Sequence, residues 1–347
     1  MENKILASNK LDNENVSNGN DIEVHANREH KSRLFSYIFG REETKARTLS
    51  LYNSLSGTDY TDPNDITITT IEDVIYMGMK NDLSYIVCDR ASLYDALNLN
   101  EHQSTPNPNM PIREFLYAAK LYDKYLKQNK KNQYSSVLIP LPIPKLVMLY
   151  NGKADMPDES TMRLSDAFRA GIRQNILAKN EEATGFSEEE LKEEVEKVFE
   201  KASPDIEVTV RMVNINYGHS PKILSTCEPL NEYAWLIDRI RSNVAAGMEL
   251  EQAADKALDD MPNEYELKEQ LIAHRAEVVG MWITEYNEEE TMQMFKEEGR
   301  QEGENLLAAL INKLLSLGKN DDIPRVTTDQ ALREKLYIQY GLKKSIQ

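Results

Sequence analysis

Apolar residues at Phe35, Ile38, Leu49, Leu51, Tyr52 and Leu55 recur at helical spacing, and Gly57 with Tyr60-Thr61-Asp62-Pro63-Asn64 ends that helix in a turn. Ile66-Thr67-Ile68-Thr69 alternates with the two-residue period of a strand, and Leu83 to Val87 reads as a second strand. Val74 to Met79, between them, is a short apolar segment that fits either type. Leu97 to Gln103 alternates as a third strand, which leaves Cys88 to Ala96 as a long hairpin loop. Pro111, at a tolerated first-turn position, opens a helix to about Lys131. Lys145 to Tyr150 follows as an apolar strand closed by the turn signal Asn151-Gly152. The order is helix, three strands, helix, strand.

Further along, Glu181 to Lys201 is an acidic helix opened by the capping-box pattern Ser187-Glu188-Glu189-Glu190, and Ile206 to Asn216 alternates as another strand. From about Ser225 the pattern is helical, with breaks near Met261-Pro262-Asn263, Tyr286-Asn287 and Gly318 to Pro324. Residues 1–31 hold too few large apolar groups to offset the entropy of ordering and read as a disordered tail. The expected division is this tail, a domain over 32–225 with a helical insertion at about 169–203, and a helical C-terminal region over 226–347.

The third strand carries the candidate chemistry. Side chains two apart on a strand share a face, so Glu101 and Gln103 lie together while His102 points the other way. Asp82 stands just before the second strand, and a hairpin brings its carboxylate to the same end. Two carboxylates with a neighbouring polar group form the smallest set that holds Mg²⁺ beside a phosphodiester and positions a water to attack it. On helix 111–131, Phe115, Ala119, Tyr122 and Leu126 line one side. Arg113, Lys120, Lys124, Lys127 and Lys131 stand on the roughly opposite face, which is either a solvated surface or a contact for a phosphate backbone.

Composition sharpens this picture in two ways. The 347-residue chain has a net charge of −17, which counts against a nonspecific nucleic-acid binder held by Lys and Arg. Yet Pro111 to Lys153 holds eight basic and two acidic residues, so the acidity lies elsewhere. The two cysteines, Cys88 and Cys227, are too isolated for a disulfide framework or zinc site, and the five histidines show no metal-ligand spacing. No apolar run approaches the roughly eighteen residues of a membrane helix. The N-terminus lacks a signal-peptide pattern, so a cytoplasmic protein without membrane contact is expected.

Five stretches, in order, resemble the Rpn family of recombination-promoting, transposase-associated nucleases within the PD-(D/E)XK nuclease superfamily. They are Leu51-Tyr52-Asn53-Ser54-Leu55-Ser56-Gly57-Thr58, Met79 to Ile86 around Asn81-Asp82, Glu101-His102-Gln103-Ser104, Asn107-Pro108-Asn109-Met110-Pro111-Ile112-Arg113, and Val147-Met148-Leu149-Tyr150-Asn151-Gly152. Asn214-Ile215-Asn216-Tyr217-Gly218-His219 and Asn231-Glu232-Tyr233 extend the likeness, which spans roughly residues 33 to 300. The resemblance implies an α/β fold with a restriction-endonuclease-like core and a central mixed sheet. It also implies a divalent-metal site, most simply Mg²⁺, with carboxylates from Asp82 and Glu101 and the backbone carbonyl of His102 as ligands. Glu42 or Glu43 corresponds to an additional acidic residue that some members carry.

The chain departs from the family pattern at three points. The Asp82 to Glu101 interval is about six residues longer, and the extra residues are placed in the hairpin loop because loops tolerate insertion. An ungapped reading would put Asp95 in place of Glu101. The helical segment near 169–203 is an addition. Gln103 stands where the superfamily usually has Lys, which removes a fixed charge beside the scissile phosphate.

Two functions follow as expectations. One is a Mg²⁺-dependent DNA endonuclease with catalytic Asp82, Glu101 and Gln103, in which Gln103 orients the attacking water, since an amide is no base near pH 7. On this reading Gln103→Lys keeps or raises activity. The other is a nuclease-fold protein with weak or no catalysis that serves a mobile element as a DNA-binding or protein-interaction module. The C-terminal helices offer either a homodimer contact or a cap on the sheet.

Overall fold

The computed structural model describes residues 33–69, 82–89, 94–179 and 186–343. The polar tail over 1–31 and the apolar Val74 to Met79 lie outside them. The chain starts with α1 (Arg33–Phe39) and α2 (Lys45–Ser56), separated by a 3-10 turn at Glu42–Thr44, so the expected first helix is two helices. Strands β1 (Ile66–Ile68), β2 (Leu83–Asp89) and β3 (Tyr94–Gln103), helix α3 (Met110–Gln128) and strand β4 (Ile143–Tyr150) follow. Next come β5 (Glu159–Arg163), the helices α4 (Leu164–Lys179) and α5 (Glu188–Ala202), and β6 (Thr209–Asn214). The remainder is helical: α6 (Pro221–Thr226), α7 (Glu228–Ala245), α8 (Leu250–Asp260), α9 (Glu266–Ala273), α10 (Arg275–Ser316), α11 (Ile323–Thr328) and α12 (Gln330–Gln339).

The strands form one six-stranded mixed sheet in the order β1-β2-β3-β4-β6-β5. β2 runs antiparallel to both β1 and β3, whereas β3, β4 and β6 are parallel, so α3 is the crossover that returns the chain from β3 to β4. Strand parity assigns the faces. Tyr85, Val87, Val147, Leu149 and Val213 point to a large core under α1, α2 and α6 to α10. Ile86, Leu97, Leu99, Met148, Tyr150 and Met212 point to the opposite face, where α3 packs through Met110, Tyr117 and Leu121. The large core crosses residue 225 without interruption, from Leu34 to Trp282, so the sheet and the helices that follow it share one apolar interior. A separate small cluster joins the end of α10 to α11 and α12.

The register fixes how far the hairpin between Asp82 and Glu101 runs. Cys88 pairs with Asp95 and Asp89 with Tyr94, so both strands continue past the expected loop, and only 90–93 connect them. The hairpin closes at the end away from Glu101. Asp95 is exposed there, six residues or about 20 Å along the strand from Glu101. Two other expectations change. β5 is an edge strand whose polar Glu-Ser-Thr-Met-Arg pattern gives little signal, and α10 runs through the break expected at Tyr286-Asn287. The capping box at Ser187 is present, and Cys227 is buried, with its thiol pushed up to about 11 by burial. Among the described residues, no helix is long and apolar enough to cross a membrane.

Candidate functional site

The pairing Leu83 with Asn100 sets Asp82 against Glu101 at one end of the β2–β3 hairpin. Each acid then accepts a backbone N–H from the other's strand. Asp82 Oδ2 accepts from His102 N at 2.7 Å, and Glu101 Oε1 accepts from Asp82 N at 3.2 Å. Ser36 Oγ, on α1, donates to the Asp82 carbonyl at 2.9 Å and ties the N-terminal helix to this end of the sheet. The reciprocal bonds fix both carboxylates without using any side-chain donor.

Glu101 and Gln103 share the face covered by α3, as parity requires, and both are buried. Arg113 reaches down from α3 between them: its guanidinium donates to Glu101 Oε2 at 3.2 Å and to Gln103 Oε1 at 3.4 Å. One residue on, Glu114 is fully buried, and among the described residues neither of its carboxylate oxygens has a hydrogen-bond partner. Burial, then the charges of Asp82 and Glu114, hold the Glu101 carboxyl well above the usual carboxylate range, opposed by Arg113. Burial does the same to Glu114, with Arg113 again opposing and Asp82 adding to the rise. Burial alone would weaken the Arg113 cation, but Glu101, Tyr117 and Asp82 together more than restore it. The site thus holds three acidic side chains against one guanidinium.

His102 is turned to the other face of the sheet. Its ring stacks on Phe35 and its Nε2 pairs with Tyr233 Oη at 2.9 Å. Burial, with a contribution from Arg241, pushes its pKa down to about 3, so the ring is neutral and serves as packing. Beside it, Asn151 N donates to the Gln103 carbonyl at 2.9 Å, and Arg241 grips the Asn151 side chain and carbonyl at 2.8 Å each. A Cβ on Gly152 would lie 1.9 Å from the Ser104 carbonyl oxygen and 2.5 Å from Tyr150 Oη, so only glycine lets this turn close over the end of β3.

The basic stripe divides. α3 buries Met110, Glu114, Tyr117, Ala118 and Leu121, not the side read from Phe115 and Ala119, and Ala119 is exposed. This rotation brings Arg113 into the carboxylate site, and Lys124 Nζ donates to the Thr69 carbonyl at 3.0 Å. Lys127 pairs with Asp123 at 2.5 Å, and Lys131 lies over the Tyr125 ring. Glu42 and Glu43 are exposed on the 3-10 turn and pair with Lys45 and Arg41. The further carboxylate beside Asp82 and Glu101 is Glu114, a residue that the sequence pattern did not single out.

Hard carboxylate oxygens suit Mg²⁺ chemically, and the oxygens of Glu114 are buried acceptors with no hydrogen-bond donor among the described residues. Among the described residues, however, no group of three His, Cys, Asp or Glu is arranged to hold a metal ion. Glu101 Oε2 would have to exchange Arg113 for a cation. Comparison of the chain with protein-family models, curated proteins and solved structures gives no match.

Proposed function

We propose that this chain is a Mg²⁺-dependent DNA endonuclease of the Rpn type, built on a restriction-endonuclease-like core and acting in the cytoplasm. The observation that carries the reading is the reciprocal locking of Asp82 and Glu101 beside Gln103 at one end of the β2–β3 hairpin. Asp82, Glu101 and the His102 carbonyl would hold the metal, which when bound polarises the phosphate and lowers the pKa of a coordinated water. Gln103 orients the attacking water through its amide. Arg113, within hydrogen-bond reach of Gln103, supplies from the helix the positive charge that the superfamily usually places on the strand as Lys. Lys120, Lys124, Lys127 and Lys131 carry the phosphate backbone along α3, and a homodimer would suit cleavage of both strands.

A second reading, a binding module without catalysis, draws on the Glu101–Arg113 ion pair, which already occupies a metal-ligand oxygen. Supercoiled plasmid incubated with Mg²⁺ separates the two. Nicking is expected from the natural protein and lost in Asp82→Asn and Glu101→Gln, each checked for folding by circular dichroism. Equal nicking in both variants would remove this site as the catalyst, and no nicking with any divalent metal would favour the binding module.

A further inference from the structure

The loop that joins α3 to β4 exposes several large apolar side chains. Leu138 is 93% exposed and Tyr134 86%, with Val137, Leu141 and Ile143 also exposed. Such side chains normally lie scattered, and a contiguous group marks a contact surface. The loop is nonetheless shaped. Asn132 accepts the N–H of Tyr134 through its side chain at 3.0 Å and that of Ser135 through its carbonyl at 2.9 Å, and Ser135 Oγ accepts from Val137 N at 3.1 Å. At its base, Tyr122 Oη donates to the Pro142 carbonyl at 2.7 Å. Pro140, Pro142 and Pro144 remove every second backbone donor, so this segment is a poor template for an added strand and must make contact through its side chains.

Charge decides the kind of partner. Lys124 to Lys153 contains six lysines and no acidic residue, in a chain of net charge −17. Lys120, Lys124, Lys127 and Lys131 stand at helical spacing along α3, which is 19 residues or about 28 Å long and leads from Arg113 at the carboxylate site to the foot of the loop. Lys124 also donates to the Thr69 carbonyl and Lys127 pairs with Asp123. A linear track matches a linear polyanion. At 3.4 Å per base pair its length is about eight base pairs.

We propose that the loop 132–143 is a DNA wedge, with Leu138, Val137 and Tyr134 inserted at a base step about eight base pairs from the carboxylate site. The inference rests on DNA being the partner under the reading above, but not on cleavage. Apolar side chains pushed between base steps unstack and kink a duplex, and the bend lets the adjoining basic surface meet more phosphate.

The test uses the full chain in EDTA with a 30-base-pair duplex carrying a donor and an acceptor dye at its ends. Binding is expected to raise energy transfer as the duplex bends. In Val137→Ser/Leu138→Ser, whose changed side chains are exposed, affinity is expected to fall about tenfold and the bend to disappear. Equal bending and affinity in the variant would overturn the proposal, as would no DNA binding by either protein. Sedimentation showing that the natural chain is a dimer and the variant a monomer would reassign the loop to a second copy. Binding to phosphatidylserine vesicles, in place of the duplex and lost in the variant, would reassign it to a membrane surface. Either result overturns the wedge. If the duplex bends but plasmid is never nicked, the wedge stands and the nuclease reading falls.

Discussion

At Gln103 the neighbouring side chains reverse what the residue type alone suggests. Under the proposed nuclease reading lysine would be the usual residue at that position, but here it would face the Arg113 guanidinium that Gln103 now accepts from at 3.4 Å. Two cations would compete for Glu101 and repel each other. Gln103→Lys is therefore expected to lower plasmid nicking roughly tenfold or more, instead of preserving it. Gln103→Lys/Arg113→Gln, which moves the charge from helix to strand, is expected to recover activity in the same assay. Recovery would not occur if Arg113 acted only as a DNA contact. Asp82, Glu101 and Gln103 were legible in the sequence because strand parity fixes which side chains share a face. The partners on α3 were not, because Phe115, Tyr117, Leu121 and Tyr122 give that helix two apolar flanks, and only packing on the sheet chooses between them.

The elements around the site show where backbone, not side chain, sets the geometry. Gly152 lets the chain after β4 cross against Ser104, and Asn151 bonds to the carbonyl of Gln103 from the same turn. Gly152→Ala forces that turn away from β3. Its expected cost is about 1–3 kcal/mol in urea-unfolding free energy, with a loss of nicking larger than a remote change of equal stability produces. The sequence marked Asn151-Gly152 as a turn, but not the close approach, which depends on a strand end 48 residues earlier reaching the same corner. The hairpin is similar. Loop and ladder residues look alike between Cys88 and Ala96, and cross-strand pairing alone decides how far the strands run. The edge strand β5 escaped notice because its half-exposed side chains carry almost no apolar alternation. The helices after Ser225 were legible as helices, but their place in the sheet's own core was not, since periodicity says nothing about which surface a helix covers.

For the molecule as a whole, the buried titratable groups impose opposite pH slopes. Glu101 and Glu114 have folded pKa values raised above 4.5, so the folded state binds more protons and their effect is to lower stability as pH rises from 4.5 toward those folded values. His102 is depressed from 6.5 to about 3, so the unfolded state binds the extra proton and stability falls as pH drops from 6.5 toward 3. Glu114→Met removes an unpartnered buried carboxyl while keeping its volume. It is expected to add about 1–3 kcal/mol near pH 7 and to flatten the alkaline side of the stability profile, leaving the acid side in place. Urea midpoints measured from pH 4 to 8 would check this, and an unchanged alkaline limb would show that Glu114 does not carry the effect.

The bond between His102 and Tyr233 has a consequence during synthesis. Its partners lie 131 residues apart, and Arg241 closes on Asn151 across 90. At about 5–20 residues per second, the back of the carboxylate-bearing strand stays uncovered on the ribosome for on the order of ten seconds. A nascent or prematurely terminated chain has every acidic residue of the site yet lacks the helix that braces it, so under the proposed nuclease reading such fragments are expected to leave DNA uncut.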